Sequence, residues 1–177
     1  MRIEVTERKL YKFSELSDDA KQKALKKLAF INADHDWWEY TYDDAKNIGL
    51  KITEFDIYSN TIDGELTLDA IDVCKKILAD HGDKCDTHKT AASALPELLA
   101  QQAIIDDDSI PDTAESDTKI AEAEEKLEEL TEEFEQAILE DYLSILKKEF
   151  EYLTSEKAII ETIEANDYEF TEKGVLS

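Results

Sequence analysis

Residues 117–153 run DTKIAEAEEKLEELTEEFEQAILEDYLSILKKEFEYL, a stretch without Gly or Pro. Ile120, Ala123, Leu127, Leu130, Phe134 and Ala137 recur at alternating steps of three and four, the spacing of an apolar seam on one helix. Asp141 breaks the strict register, and the stripe continues as Ile138, Tyr142, Ile145, Leu146, Phe150 and Leu153. At about 1.5 Å per residue such a helix is about 55 Å long. It cannot bury its seam alone, so residues 87–105 are expected to fold back on it. Thr87 or Thr90 opens that partner helix, Leu95, Leu98 and Leu99 supply its apolar face, and Pro96 is expected to interrupt it. Asp106–Asp112, acidic and Pro-containing, is the connecting loop.

Upstream, Arg2 to Phe13 alternates apolar and polar residues as a first strand. Ser17 is an N-cap for a helix with Ala20, Ala24, Leu25, Leu28 and Ile31 on one face, ending near Asn32. Asp34 or Asp36 starts a second helix that carries Trp37, Trp38, Tyr40 and Tyr42 and closes at Gly49. Leu50 to Ile57 and Glu65 to Leu68 read as strands around turn residues Asn60–Gly64. Asp69–Asp80 is helical, with Ile71, Cys74 and Leu78 on one stripe that His81 continues and Gly82 ends. Downstream, Glu156–Ala165 forms a short helix and Tyr168–Phe170 a terminal strand that can join the N-terminal sheet. The fold class is therefore α+β and predominantly helical: a small antiparallel sheet with packed helices, plus a long helical hairpin. Three segments are expected: an α+β module over 1–86, an acidic hairpin over 87–153 with its loop near 106–116, and a returning helix and strand over 154–177.

Charge is unevenly placed. The chain carries a net −24, of which residues 106–177 hold 24 acids against 6 bases, a net of −18. Such a field repels nucleic acid and anionic membrane and attracts basic surfaces. No run approaches the ~18 apolar residues of a membrane span. Arg2-Ile3-Glu4-Val5 begins no apolar signal core, and two cysteines, Cys74 and Cys85, are too few for a disulfide scaffold. A reduced cytoplasmic compartment is the expectation.

Three stretches carry a resemblance: Tyr11-Lys12-Phe13-Ser14-Glu15-Leu16-Ser17-Asp18-Asp19-Ala20 and its continuation to Ala24; Asp36-Trp37-Trp38-Glu39-Tyr40-Thr41-Tyr42 with Gly49-Leu50-Lys51-Ile52; and Tyr152-Leu153-Thr154-Ser155 through Tyr168-Glu169-Phe170. Together they resemble small acidic accessory proteins encoded by bacteriophages and prophages. The resemblance covers both ends of the chain and spares the middle. It implies an origin, a phage product acting in the bacterial cytoplasm, and brings no catalytic residues.

Chemistry-bearing patterns are sparse. Cys74, His81, Cys85 and His88 form a zinc ligand set by type, but their spacing lacks the close pairs of a finger, and Cys74 falls on an apolar stripe. Asp34, Asp36, Asp43 and Asp44 around His35 offer oxygen ligands without a calcium-loop pattern. There is no nucleophile elbow and no phosphate loop. Lys21, Lys23, Lys26 and Lys27 interleave with a helix core and read as its solvated face. No cofactor and no enzymatic activity are expected.

Two features point to protein recognition. Trp37, Tyr40 and Asp44 can share a helical face opposite Trp38, Tyr42 and Ala45; one face is core, and the other, if exposed, would anchor a partner. Glu122, Glu125, Glu128, Glu129, Glu132, Glu133 and Glu135 form the acidic side of the long helix. Residues 115–141 hold 12 acids and 2 bases, a net of −10. Over about 40 Å that is one net charge per ~4 Å, against one per ~1.7 Å of duplex DNA. Two such helices side by side approach the duplex, so a DNA decoy requires a dimer.

The expectation is thus a non-enzymatic phage accessory protein that binds a bacterial protein with a basic surface. Its most concrete form is an anti-CRISPR or anti-restriction inhibitor that occupies a nucleic-acid-binding defence complex by mimicking DNA. The alternatives are a self-associating structural protein, a homodimer through the 117–153 seam whose acids only solubilise it, and a small metal-dependent enzyme.

Overall fold

The computed structural model describes residues 8–107, 109, 111 and 113–177. Ile3 and Val5 of the expected first strand, and Asp108, Ile110 and Asp112 of the expected loop, lie outside the described residues. The described chain forms two compact units. One holds the residues up to Trp37 together with Lys148–Ser177, and the other holds Trp38–Lys147. The structure is α+β and predominantly helical.

In the first unit, β1 (Tyr11–Lys12) is followed by a tight turn of helix, Phe13–Glu15, and by α1 (Asp18–Lys27). The Ser17 hydroxyl accepts the Ala20 amide, so the predicted N-cap is in place. α1 stops at Lys27 rather than near Asn32. Beyond its C-cap at Leu28 the chain is tied down at Asn32, whose amide donates to the Leu153 carbonyl at 3.1 Å and whose oxygen accepts from the Thr162 hydroxyl at 2.7 Å. Ser155 caps α6 (Glu156–Ala165), and β4 (Glu169–Phe170) pairs antiparallel with β1, Tyr11 opposite Phe170. Phe13, Leu16, Ala24, Leu25, Ile159, Ile163 and Phe170 pack into one core, with the Phe13 and Phe170 rings edge to face at 6.1 Å.

In the second unit, α2 (Glu39–Ile48) ends on Gly49 in the left-handed conformation, φ +95°, as its position after the apolar run predicts. β2 (Leu50–Asp56) and β3 (Thr61–Leu66) form an antiparallel hairpin with an irregularity between Ile52 and Glu54. The turn lies earlier than the sequence suggests. The Asp56 carboxylate accepts the Tyr58 and Ser59 amides and the Ser59 hydroxyl, which holds it below the usual carboxylate range. Gly64 is consequently a strand residue, and close packing explains it: a Cβ there would stand 2.6 Å from the Lys51 carbonyl and 2.8 Å from Leu139. The two strand pairs are separate sheets, so the single sheet expected from the sequence is replaced by two ribbons.

α3 (Ala70–Asp80) and α4 (Asp86–Ile105) follow. Pro96 lies inside α4 without interrupting it. α5 (Ala114–Leu153) is the long helix that the seam predicts, and its last turns, from Lys148, belong to the first unit. α4 and α5 run antiparallel in the second unit: Thr90 donates to Asp141 at 2.6 Å, while Gln102 lies near Leu127 and Thr131. Leu130, Phe134, Ile138, Leu139 and Tyr142 of the seam share a core with Ile48, Leu50, Val73, Cys74, Ile77, Ala91 and Leu98. Burying several large apolar side chains at about 1.5–3 kcal/mol each supplies the main stabilisation of this unit.

Candidate protein-binding face

The helical period that buries Leu130, Phe134 and Ile138 turns the acids between them outward. Glu122, Glu125, Glu128, Glu129, Glu132 and Glu133 are all exposed. Glu135 differs: it is half-buried, and its carboxylate accepts the Leu66 amide at 2.9 Å, so it closes the end of β3. Of the seven expected carboxylates, six form the outer face and one serves the fold.

This face is electrostatically uneconomic for the isolated helix. Glu125 and Glu129, Glu128 and Glu132, and Glu129 and Glu133 are like-charge pairs four residues apart, each destabilising by about 0.2–0.5 kcal/mol. They lie in the middle of α5, beyond the first turn where the helix dipole would favour them. Lys126 is the one base between Glu122 and Glu135. Its ammonium donates to Glu129 at 2.6 Å, a bond that raises its pKa above the ordinary value, with Glu133 and Glu97 adding to the effect. A face needed only for solubility can alternate Glu with Lys and gain from the pairs.

The aromatic face expected from α2 does not form. Trp37 precedes the helix, which starts only at Glu39, and is 7% exposed against Phe150, ring centroids 5.5 Å apart. Trp38 and Tyr42 both meet the Phe55 ring edge to face, at 5.8 and 6.0 Å. Tyr40 is 84% exposed. Asp44 is half-exposed and also reaches a core residue: Tyr142, fully buried, donates its hydroxyl to the Asp44 carboxylate at 2.8 Å.

That carboxylate belongs to a network the sequence does not announce. His81, 10% exposed at the C-terminal end of α3, holds Nε2 3.6 Å from Asp44 and Nδ1 2.7 Å from the buried Thr87 hydroxyl. Asp44, His81, Thr87 and Tyr142 thus link α2, α3, α4 and α5. An Asp–His–Thr series resembles a catalytic relay, but Thr87 is 2% exposed, and a nucleophile needs access to its substrate. The network is a polar cross-tie whose buried atoms all have partners among the described residues. The one available signal was the placement of His81 on an otherwise apolar stripe.

The residues of the zinc set are separated in role. Cys74 is buried in the core, where loss of solvent pushes its thiol up to about 12; Cys85 is exposed; His81 is engaged as described. Among the described residues, no three His, Cys, Asp or Glu side chains gather around a common cation position. Likewise, no helix among them is long and apolar enough to cross a membrane.

No family model matches the chain, and comparison with curated proteins and with solved structures gives no match.

Proposed function

We propose that this chain is a non-enzymatic accessory protein of phage origin that acts in the bacterial cytoplasm by binding a host protein through that protein's basic, nucleic-acid-binding surface. The recognising groups are Glu122, Glu125, Glu128, Glu129, Glu132 and Glu133. The observation that carries the reading is their exposure as one carboxylate row with a single interspersed lysine. Its like-charge cost is relieved within the helix only at Lys126, and a cationic surface would relieve the rest. The most concrete version is an inhibitor of a host defence complex, anti-CRISPR or anti-restriction, that competes with DNA for its binding cleft. Since α5 alone carries less than half the charge density of a duplex, this version needs a partner that reads one row of charge, or two copies side by side.

Self-association through the seam is less well supported. Leu130, Phe134, Ile138, Tyr142 and Leu146 of the seam are buried within the chain, which leaves only Ala137 and Ile145 partly exposed between them. The test of the main reading is a tagged pull-down from bacterial lysate, eluted along a salt gradient and repeated with duplex DNA in excess. A nucleic-acid-binding complex that releases as salt rises, and that DNA displaces, supports it. Recovery of the bait alone contradicts it.

A further inference from the structure

Charge alone makes a poor anchor, because exposed ion pairs are weak and screened over about 8 Å at physiological salt. A partner held by the acidic face needs an apolar contact close to it. An opening among the described residues suits that need. Between α4 and α5, Ser93 and Ala94 stand across from Ala137, and these small side chains leave an open groove of about 480 Å³. Its floor is Ala94 and Ala137, backed by the buried Leu98, Leu130 and Phe134.

The rim of the groove fixes the sign of the occupant. Glu97 on α4 and Glu133 on α5 both line it, both are exposed, and neither makes an ion pair among the described residues. Lys89 also lines the groove, but its ammonium pairs with Asp86 at 2.8 Å; Lys126, bonded to Glu129 at 2.6 Å, offsets the charge of Glu97 and Glu133 only in part, so the rim keeps a net negative charge. The opening beside Asp69, Asp72, Ile71 and Leu127 is also acidic, but its lining is mainly polar and Lys75 already pairs with Asp72 at 3.3 Å. The groove bounded by Asn60, Asp63, Glu140 and Lys147 is mainly polar, and the one between α1 and α6 sets Lys23 and Lys26 against Asp19 and Glu156.

We infer that the α4–α5 groove seats a basic amphipathic segment of the partner protein, one large apolar side chain resting over Ala94 and Ala137 and flanking Lys or Arg side chains pairing with Glu97 and Glu133. This inference rests on the proposed function and adds the point of anchorage and the chemistry of the recognised segment. Apolar contact supplies residence time and the carboxylates supply register, the usual division between a buried anchor and its polar rim.

The test uses the full-length protein and a fluorescent 14-residue helical peptide with Leu on one face and Arg on the other, followed by anisotropy. Three protein variants are compared with the wild type: Ala94→Trp, which fills the groove; Glu97→Arg with Glu133→Arg, which reverses its rim; and Glu122→Gln, Glu125→Gln and Glu132→Gln, which neutralise acids outside it. A second peptide replaces the central Leu by Ser and keeps every charge. The inference predicts at least a tenfold loss of affinity for Ala94→Trp and for the Ser peptide. The two losses should not add, because both remove the same contact. The rim reversal should lose the Arg peptide and gain a Leu/Glu peptide, and it keeps the test decisive should Ala94→Trp fold poorly. Binding that ignores Ala94→Trp, the rim reversal and the Leu→Ser change, yet falls with the three distant Gln substitutions, overturns the groove and leaves the acidic-face reading standing. Failure of the Arg peptide to bind wild type overturns the groove, whereas the acidic-face reading stands or falls on the pull-down from lysate.

Discussion

The hydroxyl of Tyr142 donates to the carboxylate of Asp44 across 2.8 Å, joining the middle of α5 to α2 over 98 residues of chain. Tyr142 is fully buried, and burial, helped by the adjacent carboxylate, raises its pKa, so it remains a donor well into the alkaline range. Tyr142→Phe keeps the ring and removes the donor; the half-exposed Asp44 can then take water, so the expected loss is about 0.5–1.5 kcal/mol. Tyr142→Ala opens a cavity and should cost about 3–5 kcal/mol. Urea unfolding of the two variants measures the difference.

The cysteines should differ in reactivity. Cys85 is exposed and Cys74 is buried with its thiol pushed up to about 12, so native protein should take one equivalent of a thiol reagent, at Cys85, and a second only on unfolding. The same shift carries a sign for stability. Below about pH 7.5, a unit under the free thiol's ordinary value, the thiol is protonated in both states and nothing is lost. As pH rises towards 12 only the unfolded chain releases the proton, so stability falls, by at most about 1.4 kcal/mol per pH unit for this thiol. Cys74→Ala should flatten that part of the alkaline profile, followed by denaturation between about pH 8 and 11.

Gly64→Ala tests the reassigned hairpin. The new Cβ would meet the Lys51 carbonyl at 2.6 Å and Leu139 at 2.8 Å, both packed groups, and the expected destabilisation is about 1–3 kcal/mol. Were Gly64 a turn residue open to solvent, the denaturation midpoint would hardly move.

Pro96→Ala should act in the opposite direction. Within α4 the proline ring provides no donor for the Ala92 carbonyl, so alanine restores a helical hydrogen bond. A gain of about 1–2 kcal/mol is expected, part of the helix-interior penalty being offset by the freer unfolded chain. Thermal melts of the two proteins compare them.

Much of this fold can be read from spacing. The seam from Ala123 to Leu146 is visible because one face of a long helix repeats locally, and Ser17, Ser155 and Gly49 mark helix ends by chemistry confined to a few neighbouring residues. The failures are tertiary. After α1 the chain is held at Asn32 by Leu153 and Thr162, partners 121 and 130 residues away. Gly64 looks like turn material until Leu139 is placed above it. The Trp37 to Tyr42 cluster suggests one aromatic helix, whereas Trp37 meets Phe150 before α2 begins. At the candidate face, composition reveals the acid row. It does not reveal that Glu135 caps a strand or that Asp44 accepts the Tyr142 hydroxyl, since a carboxylate's partner is set by distant chain.

The most direct test of the account compares wild type with a variant carrying Glu122→Gln, Glu125→Gln, Glu128→Gln, Glu129→Gln, Glu132→Gln and Glu133→Gln in capture of a host complex from lysate. Removing like-charge pairs should leave the melting temperature unchanged or slightly higher, so a loss of capture would report recognition rather than unfolding. The account predicts that the folded variant captures at least tenfold less of a nucleic-acid-binding complex and that what remains no longer depends on salt. Undiminished capture by the six-fold variant, with the same salt dependence, would contradict it.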